Sequence, residues 1–267
     1  MKRMSVLVLA TLFLAGFGGR SMPFATPLNA AVAPAGATFF DDFSKGKLDT
    51  SKWIASNWGA PGGGKFVPSY LDFSSGMLRI KVTQTYTSTG GISSVGGELQ
   101  SKKVLGFGTY EWVMRASSTS STPTGSGVAV SGQISSGFVF VNNSQTEIDS
   151  PEIEGQNPGT LWWTTWAGLT RKQWTSTQAP FAPEKGFHSY KCVWTRTAVK
   201  FYVDNVLVSS HTGVVPQTPA YAMINHWEQT AGAGVVSPLP TSLATCSCGV
   251  SVLSRFNSAA RDRRGHR

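Results

Sequence analysis

Between Thr146 and Gly155 the chain reads TEIDSPEIEG, which places four carboxylates, Glu147, Asp149, Glu152 and Glu154, within eight positions. If this segment is a strand, alternation puts Glu147 and Asp149 on one face and Glu152 and Glu154 on the other. One face of a sandwich strand is core, and unpaired carboxylates are costly there. A single extra residue at Ser150-Pro151 removes the conflict, because a β-bulge restores the phase and turns all four acids to one side. Proline fits such a place, since it has no N–H to give to a ladder.

Carboxylates gathered on one concave face can serve three purposes. They can form a solvated acidic surface, or supply oxygen ligands to calcium. They can also be the acids of glycoside cleavage, in which a nucleophile and an acid/base about 5–5.5 Å apart give a double displacement with retention. In that third case a further carboxylate between the two raises the proton affinity of the acid. Tryptophans close to the acidic segment add weight to the sugar reading. Trp162, Trp163 and Trp166 follow on the next predicted strand, and Trp227 closes AMINHW. Indole faces stack on sugar rings, although at alternating positions about half of such residues belong to the core.

These groups need strands to hold them, and the sequence supplies strands. Period-two alternation recurs from about residue 76 to 225, in MLRIKVTQT, TYEWVMRAS, GFVFV, TLWWTTW, HSYKCVWTR, VKFYVD and AYAMINHW. Asp204-Asn205 sits between two β-rich runs, and both residues tolerate the positive φ of a tight hairpin. No window of a dozen residues carries a helical period. Many strands without helices predict a β-sandwich or barrel.

The net charge of +9 suggests nucleic acid until its distribution is read. Eight of the 23 Lys and Arg lie in the first 20 or last 13 residues, and the stretch between the ends carries only +2. Nucleic-acid binding is not expected. Lys2 and Arg3 precede an apolar run, Val6 to Phe17, of the length of a signal-peptide core and too short to span a bilayer comfortably. Export is expected, to the periplasm or the medium, with no stable membrane insertion after processing. Cys192 alternates with aromatics and reads as a buried thiol. Cys246 and Cys248 lack partners for a zinc set, so neither a disulfide framework nor a thiol-held metal is expected.

Five segments in order resemble glycoside hydrolase family 16, the β-glucanases, laminarinases and related galactanases. DDFSKGKLDTSKW resembles the family's opening, GGELQSKKVLGFGTYEWVMRAS its strand pair, and TEIDSPEIEG its active-site strand. GFHSYKCVWTRTAVKFYVDN resembles the hairpin that follows, and MINHW the strand across the cleft. The resemblance implies an all-β, concanavalin-A-like jelly-roll sandwich with a concave substrate cleft. It implies Glu147 as nucleophile, Asp149 as assisting carboxylate and Glu152 as general acid/base, with Glu154 the fallback acid. By the same resemblance Glu98 would contact substrate hydroxyls and Asn225 and Trp227 would line the cleft, while Trp163 and Trp166, from the tryptophan cluster beside the acids, are expected to bind the polysaccharide with them.

The expected protein is an exported, monomeric, endo-acting retaining hydrolase of a neutral polysaccharide, with β-1,3- or mixed β-1,3/1,4-glucan favoured. The alternatives are a non-catalytic carbohydrate-binding protein on the same scaffold and a β-galactan hydrolase or transglycosylase. No cofactor is expected; oxygen donors of this kind would accept a structural calcium ion, but nothing indicates one. Residues 1–37 read as signal peptide and Ala/Pro-rich leader, and 38–243 as the catalytic domain. Residues 244–267 read as an atypical basic tail, with the grammar of a frameshifted end and no closing strand.

Overall fold

The computed structural model describes residues 33, 35–86, 92–116, 119, 127–228 and 246–251. Among them are fifteen strands: β1 (Trp53–Ala55), β2 (Lys65–Phe66), β3 (Leu71–Asp72), β4 (Leu78–Tyr86), β5 (Ile92–Leu105), β6 (Gly108–Met114), β7 (Gln133–Val141), β8 (Thr146–Glu154), β9 (Thr160–Trp166), β10 (Lys172–Gln178), β11 (His188–Trp194), β12 (Val199–Val203), β13 (Val206–His211), β14 (Ala220–Glu228) and β15 (Cys246–Ser251). The described residues hold two single-turn 3-10 segments and no α-helix. Apart from the short parallel pair β2–β5, every pairing is antiparallel.

One sheet runs β10-β9-β8-β7-β14-β5, with β1 added on β5. The other runs β4-β15-β6-β11-β12-β13, with β3 on β4. The last residues of β4 pair with the first of β5, Thr83 with Val95 and Tyr86 with Ile92, and so join the two sheets. Leu78, Ile80 and Val82 are fully buried, as are Tyr110 and Trp112, which confirms the alternation read in both segments. Asp204 and Asn205 have φ of 46° and 67° and turn β12 into β13, as expected.

The core lies between the sheets. Ile148, Ile153, Leu161 and Trp163 of one pack in a single cluster with Tyr110, Trp112, Cys192 and Phe201 of the other. Trp163 and Phe201 meet at 5.1 Å between ring centroids. Cys192 is a free, buried thiol, and burial pushes its pKa up to about 12. Trp112 crosses the interior to donate its Nε1–H to the carbonyl of Met223 at 3.1 Å. Its indole needs the missing side chain of Gly137, where a Cβ would lie 2.5 Å from Trp112 Cγ.

The tail requires a correction. Cys246–Ser251 is a strand, set between β4 and β6, with Cys246 opposite Val82, Val250 opposite Leu78 and Val250 also opposite Met114. The segment does alternate, Cys246, Cys248 and Val250 against Ser247, Gly249 and Ser251, but it is short and built of small residues, so the signal is weak. Ladder pairing is made by backbone groups and asks only for N–H and C=O. The expected leader, residues 1–37, lies mostly outside the described residues, as do residues 229–245 and 252–267.

Candidate active site

β8 holds the expected bulge. Asp149 pairs with Thr164 and Glu152 with Trp162, so three steps along β8 match two along β9. The same mismatch occurs on the other side, where Asp149 pairs with Phe138 and Glu152 with Ser136. The Ser150-Pro151 peptide is cis, and the Pro151 carbonyl accepts the Ser136 hydroxyl at 3.1 Å. Ile148 and Ile153 therefore point into the core, and Glu147, Asp149 and Glu152 share the opposite face. Glu154 belongs to that face by register but is not among the residues lining the cleft.

Antiparallel register lays the other groups in rows across the sheet. The row of Glu152 runs through Trp162 on one side and through Ser136, Asn225 and Glu98 on the other. The row of Asp149 runs through Thr164 and Trp174 one way, and through Phe138, Met223 and Gln100 the other. The row of Glu147 runs through Trp166 and Lys172, with Phe140 opposite. Trp58, Phe66 and Trp227 wall one end, and the cleft measures about 420 Å³.

Enclosure sets the electrostatics. Burial raises the Glu152 carboxyl to about 7, with the charges of Glu147 and Glu154 adding and Lys172 opposing. Asp149 is raised well above the carboxylate range by burial and by the charges of Glu152 and Glu147, against a hydrogen bond from Thr164. Glu147 is raised by burial, and a hydrogen bond from the Ser144 hydroxyl to its Oε2 opposes that. Three acids in one enclosure cannot all ionise cheaply at neutral pH, so they hold protons among themselves.

Glu98 is also raised by burial, and its two oxygens are held by donors. Ser56 Oγ and Trp58 Nε1 donate to Oε1 at 2.8 and 3.1 Å, and Asn225 Nδ2 donates to Oε2 at 3.0 Å. Among the described residues no group of three or more His, Cys, Asp or Glu is arranged to hold a metal ion.

Of the residues singled out from sequence, Glu98, Glu147, Asp149, Glu152, Asn225 and Trp227 come together around one cleft. Trp166 shares the carboxylate face, beside Glu147, with the Lys172 ammonium 4.8 Å from its ring centroid. Trp163 does not belong: it is 0% exposed, packs on Phe201 and donates its Nε1–H to Thr177. Its neighbour Trp162 takes that face instead. Parity held the signal, since residues 163 and 166 cannot share a face of a regular strand, whereas 162, 164 and 166 do. Trp58, Ser144 and Trp174 were also missed. They lie in a loop, a turn and an edge strand that carry no motif.

An antiparallel jelly roll with a bulged carboxylate strand at the centre of a tryptophan-lined cleft defines a carbohydrate-active β-sandwich. The chain belongs to glycosyl hydrolases family 16, whose sequence profile matches residues 65–236. A β-glucanase of Acetivibrio thermocellus is 27% identical over 186 residues, which cover 67% of this chain and 52% of that protein. This chain thus spans about half the length of that relative. A β-glucanase of Bacillus licheniformis is 26% identical over 258 residues, 91% of this chain and 95% of its own. In three dimensions a Bacillus licheniformis β-glucanase superposes with a TM-score of 0.67 at 21% identity, covering 84% of this chain and 99% of the other. The laminarinase catalytic domain of Thermotoga maritima gives a TM-score of 0.67 at 15% identity, covering 84% and 98%.

Proposed function

We propose that the protein is an exported, endo-acting glycoside hydrolase that cleaves internal β-1,3 or mixed β-1,3/1,4 bonds of a neutral glucan with retention. The observation that carries this reading is the bulge at Ser150-Pro151, which brings Glu147, Asp149 and Glu152 to one face of an open cleft. The relatives named as β-glucanases support the substrate class, and the basic-then-apolar start of the chain supports export.

In this mechanism an oxygen of Glu147 attacks the anomeric carbon as the bond to the leaving oxygen breaks. Glu152, whose raised pKa of about 7 lets it keep a proton up to neutral pH, gives that proton to the leaving oxygen. The glycosyl ester on Glu147 is then opened by water. Glu152 takes one proton of that water, and Glu147 leaves as carboxylate. Asp149, between them on the same face, donates a hydrogen bond to whichever glutamate carries charge.

The purified chain should release reducing ends from lichenan or laminarin, with an initial product of β configuration in proton NMR. An α product would overturn retention. Binding of the glucans without cleavage would favour the non-catalytic alternative, and faster cleavage of carrageenan or agarose would overturn the neutral glucan.

A further inference from the structure

The turn between β7 and β8 is built against the preference of one of its residues. The Gln145 amide donates to the Asn142 carbonyl at 3.0 Å, and Asn142, Asn143 and Ser144 have φ of 39°, 49° and 58°. Asn143 and Ser144 are the central pair of a tight hairpin turn in which both residues are left-handed. Asparagine tolerates that region, and glycine is the usual choice at the second central position. Here that position holds serine. The Ser144 carbonyl accepts the Gly168 amide of the β9–β10 turn at 2.7 Å, and its hydroxyl donates to Glu147 Oε2. A side chain that costs the turn some stability is therefore attached to the carboxylate that the mechanism makes the nucleophile. Strain of this kind persists where the surroundings over-determine it, commonly at functional sites.

We propose that Ser144 is a positioning residue for the nucleophile, its hydroxyl holding Glu147 by Oε2 so that Oε1 is presented to the anomeric carbon. The inference rests on the assignment of Glu147 above. When Oε1 forms the ester bond and the leaving oxygen takes the Glu152 proton, Oε2 becomes the ester carbonyl and keeps the Ser144 hydrogen bond. No proton passes through Ser144. The charged groups near Glu147 are Asp149 and Glu152 on its own strand and Lys172 on β10, above the Trp166 ring. β7 presents Phe140 beside it. Burial raises Glu147, and Ser144 supplies the hydrogen bond that counters it.

The test uses Ser144→Gly and Ser144→Ala in the full chain. Both lose the hydroxyl, so both should lower kcat/KM on lichenan roughly tenfold and move the acidic limb of its pH profile up by about one unit. Their melting temperatures should part: Gly, which accepts the left-handed backbone, should melt no lower than the parent, and Ala should melt below Gly. A carbon-13 NMR titration of the Glu147 carboxyl should show the same upward shift in both variants without any turnover. An unmoved acidic limb and titration would overturn the proposal, as would activity that follows melting temperature. Should the parent cleave no glucan, the failure belongs to the functional reading, and the NMR titration still decides the role of Ser144.

Discussion

Asn225 and Glu98 stand in register on β14 and β5, and the Asn225 amide donates to Glu98 Oε2 at 3.0 Å. Because Ser56 and Trp58 occupy the other oxygen of Glu98, that carboxylate is held by three protein donors. Asn225 Oδ1 is buried and has no partner. Glu98 thus fixes which end of the amide is free, and the free end is an acceptor suited to a sugar hydroxyl. We therefore expect Glu98 to act at least in part by orienting Asn225 toward the cleft that both residues line.

Removing that acceptor should cost binding in the transition state. Asn225→Ala is expected to lower kcat/KM on lichenan roughly tenfold or more. Asn225→Asp keeps the shape but sets a second carboxylate against Glu98, so it should be worse than Ala at pH 8 and recover as pH falls. Steady-state kinetics at pH 5 and 8 check the order. An Asp variant equal to the parent at pH 8 would show that the amide is not the contact.

Glu152 should limit activity on the alkaline side. Its acid function needs the proton, so kcat/KM should fall as pH rises through about 7. Stability has the same sign. The folded carboxyl keeps its proton above the ordinary value near 4.5, whereas the unfolded one releases it there. The folded state then binds more protons between about 4.5 and 7, and stability falls across that window as pH rises. Glu152→Gln removes the penalty, which is ~3 kcal/mol by linkage. This inactive variant should melt higher than the parent at pH 8 and not at pH 4. Equal melts at both would refute the burial account.

Two tryptophans one register position apart on β9 and β10, Trp163 and Trp174, should behave in opposite ways. Trp174 is 55% exposed on the carboxylate face, with its ring 5.7 Å from that of Trp162. Trp174→Ala should raise KM on long glucan about fivefold and leave the melt unchanged. Trp163→Ala opens the core and should cost about 3–5 kcal/mol of stability. Thermal melts and kinetics on the two variants separate the roles; a destabilised Trp174→Ala would assign that ring to packing.

Much of this site was legible in the sequence because it depends on local parity. Once Glu147 and Asp149 required one face, Glu152 could join them only through an extra residue, and Pro151 marked where it lay. The hairpin at Asp204-Asn205 and the buried row Leu78, Ile80 and Val82 follow from the same alternation. What lay hidden depends on register between distant segments. Nothing near Trp58 says that its indole N–H meets Glu98, forty residues on, at 3.1 Å. Nothing in CSCGVS says that a gap between β4 and β6 awaits a backbone.

Gly137 is the support behind the bulge. It lies on β7 between Ser136 and Phe138, the residues where register with β8 shifts, and a Cβ there would meet the Trp112 ring at 2.5–2.7 Å. Neither a backbone inside a sheet nor a fully buried indole can give way cheaply. Gly137→Ala should cost about 1–3 kcal/mol through overpacking and lower kcat by moving Ser136 and, through it, the Pro151 carbonyl. Unfolding in guanidinium with parallel kinetics checks both, and a variant of parental stability and rate would show that the interior has slack.

The strand Cys246–Ser251 makes the last prediction. It is the neighbour of β4 along Leu78 to Val82 and touches β6 at Met114 and Val113. A chain ended after Thr245 would leave β4 with a free edge in the middle of the sheet, carrying the backbone of Leu78, Ile80 and Val82. Unpaired edges of apolar strands recruit other chains. The shortened protein should therefore melt lower and aggregate, seen as light scattering that rises with concentration, while its carboxylates, all on the other sheet, keep their arrangement. In dilute solution below its melt it should retain most of its kcat. Equal melting temperatures of the two chains would mean that β15 adds nothing to the sandwich. A loss of kcat without loss of stability would mean that the tail acts on the cleft.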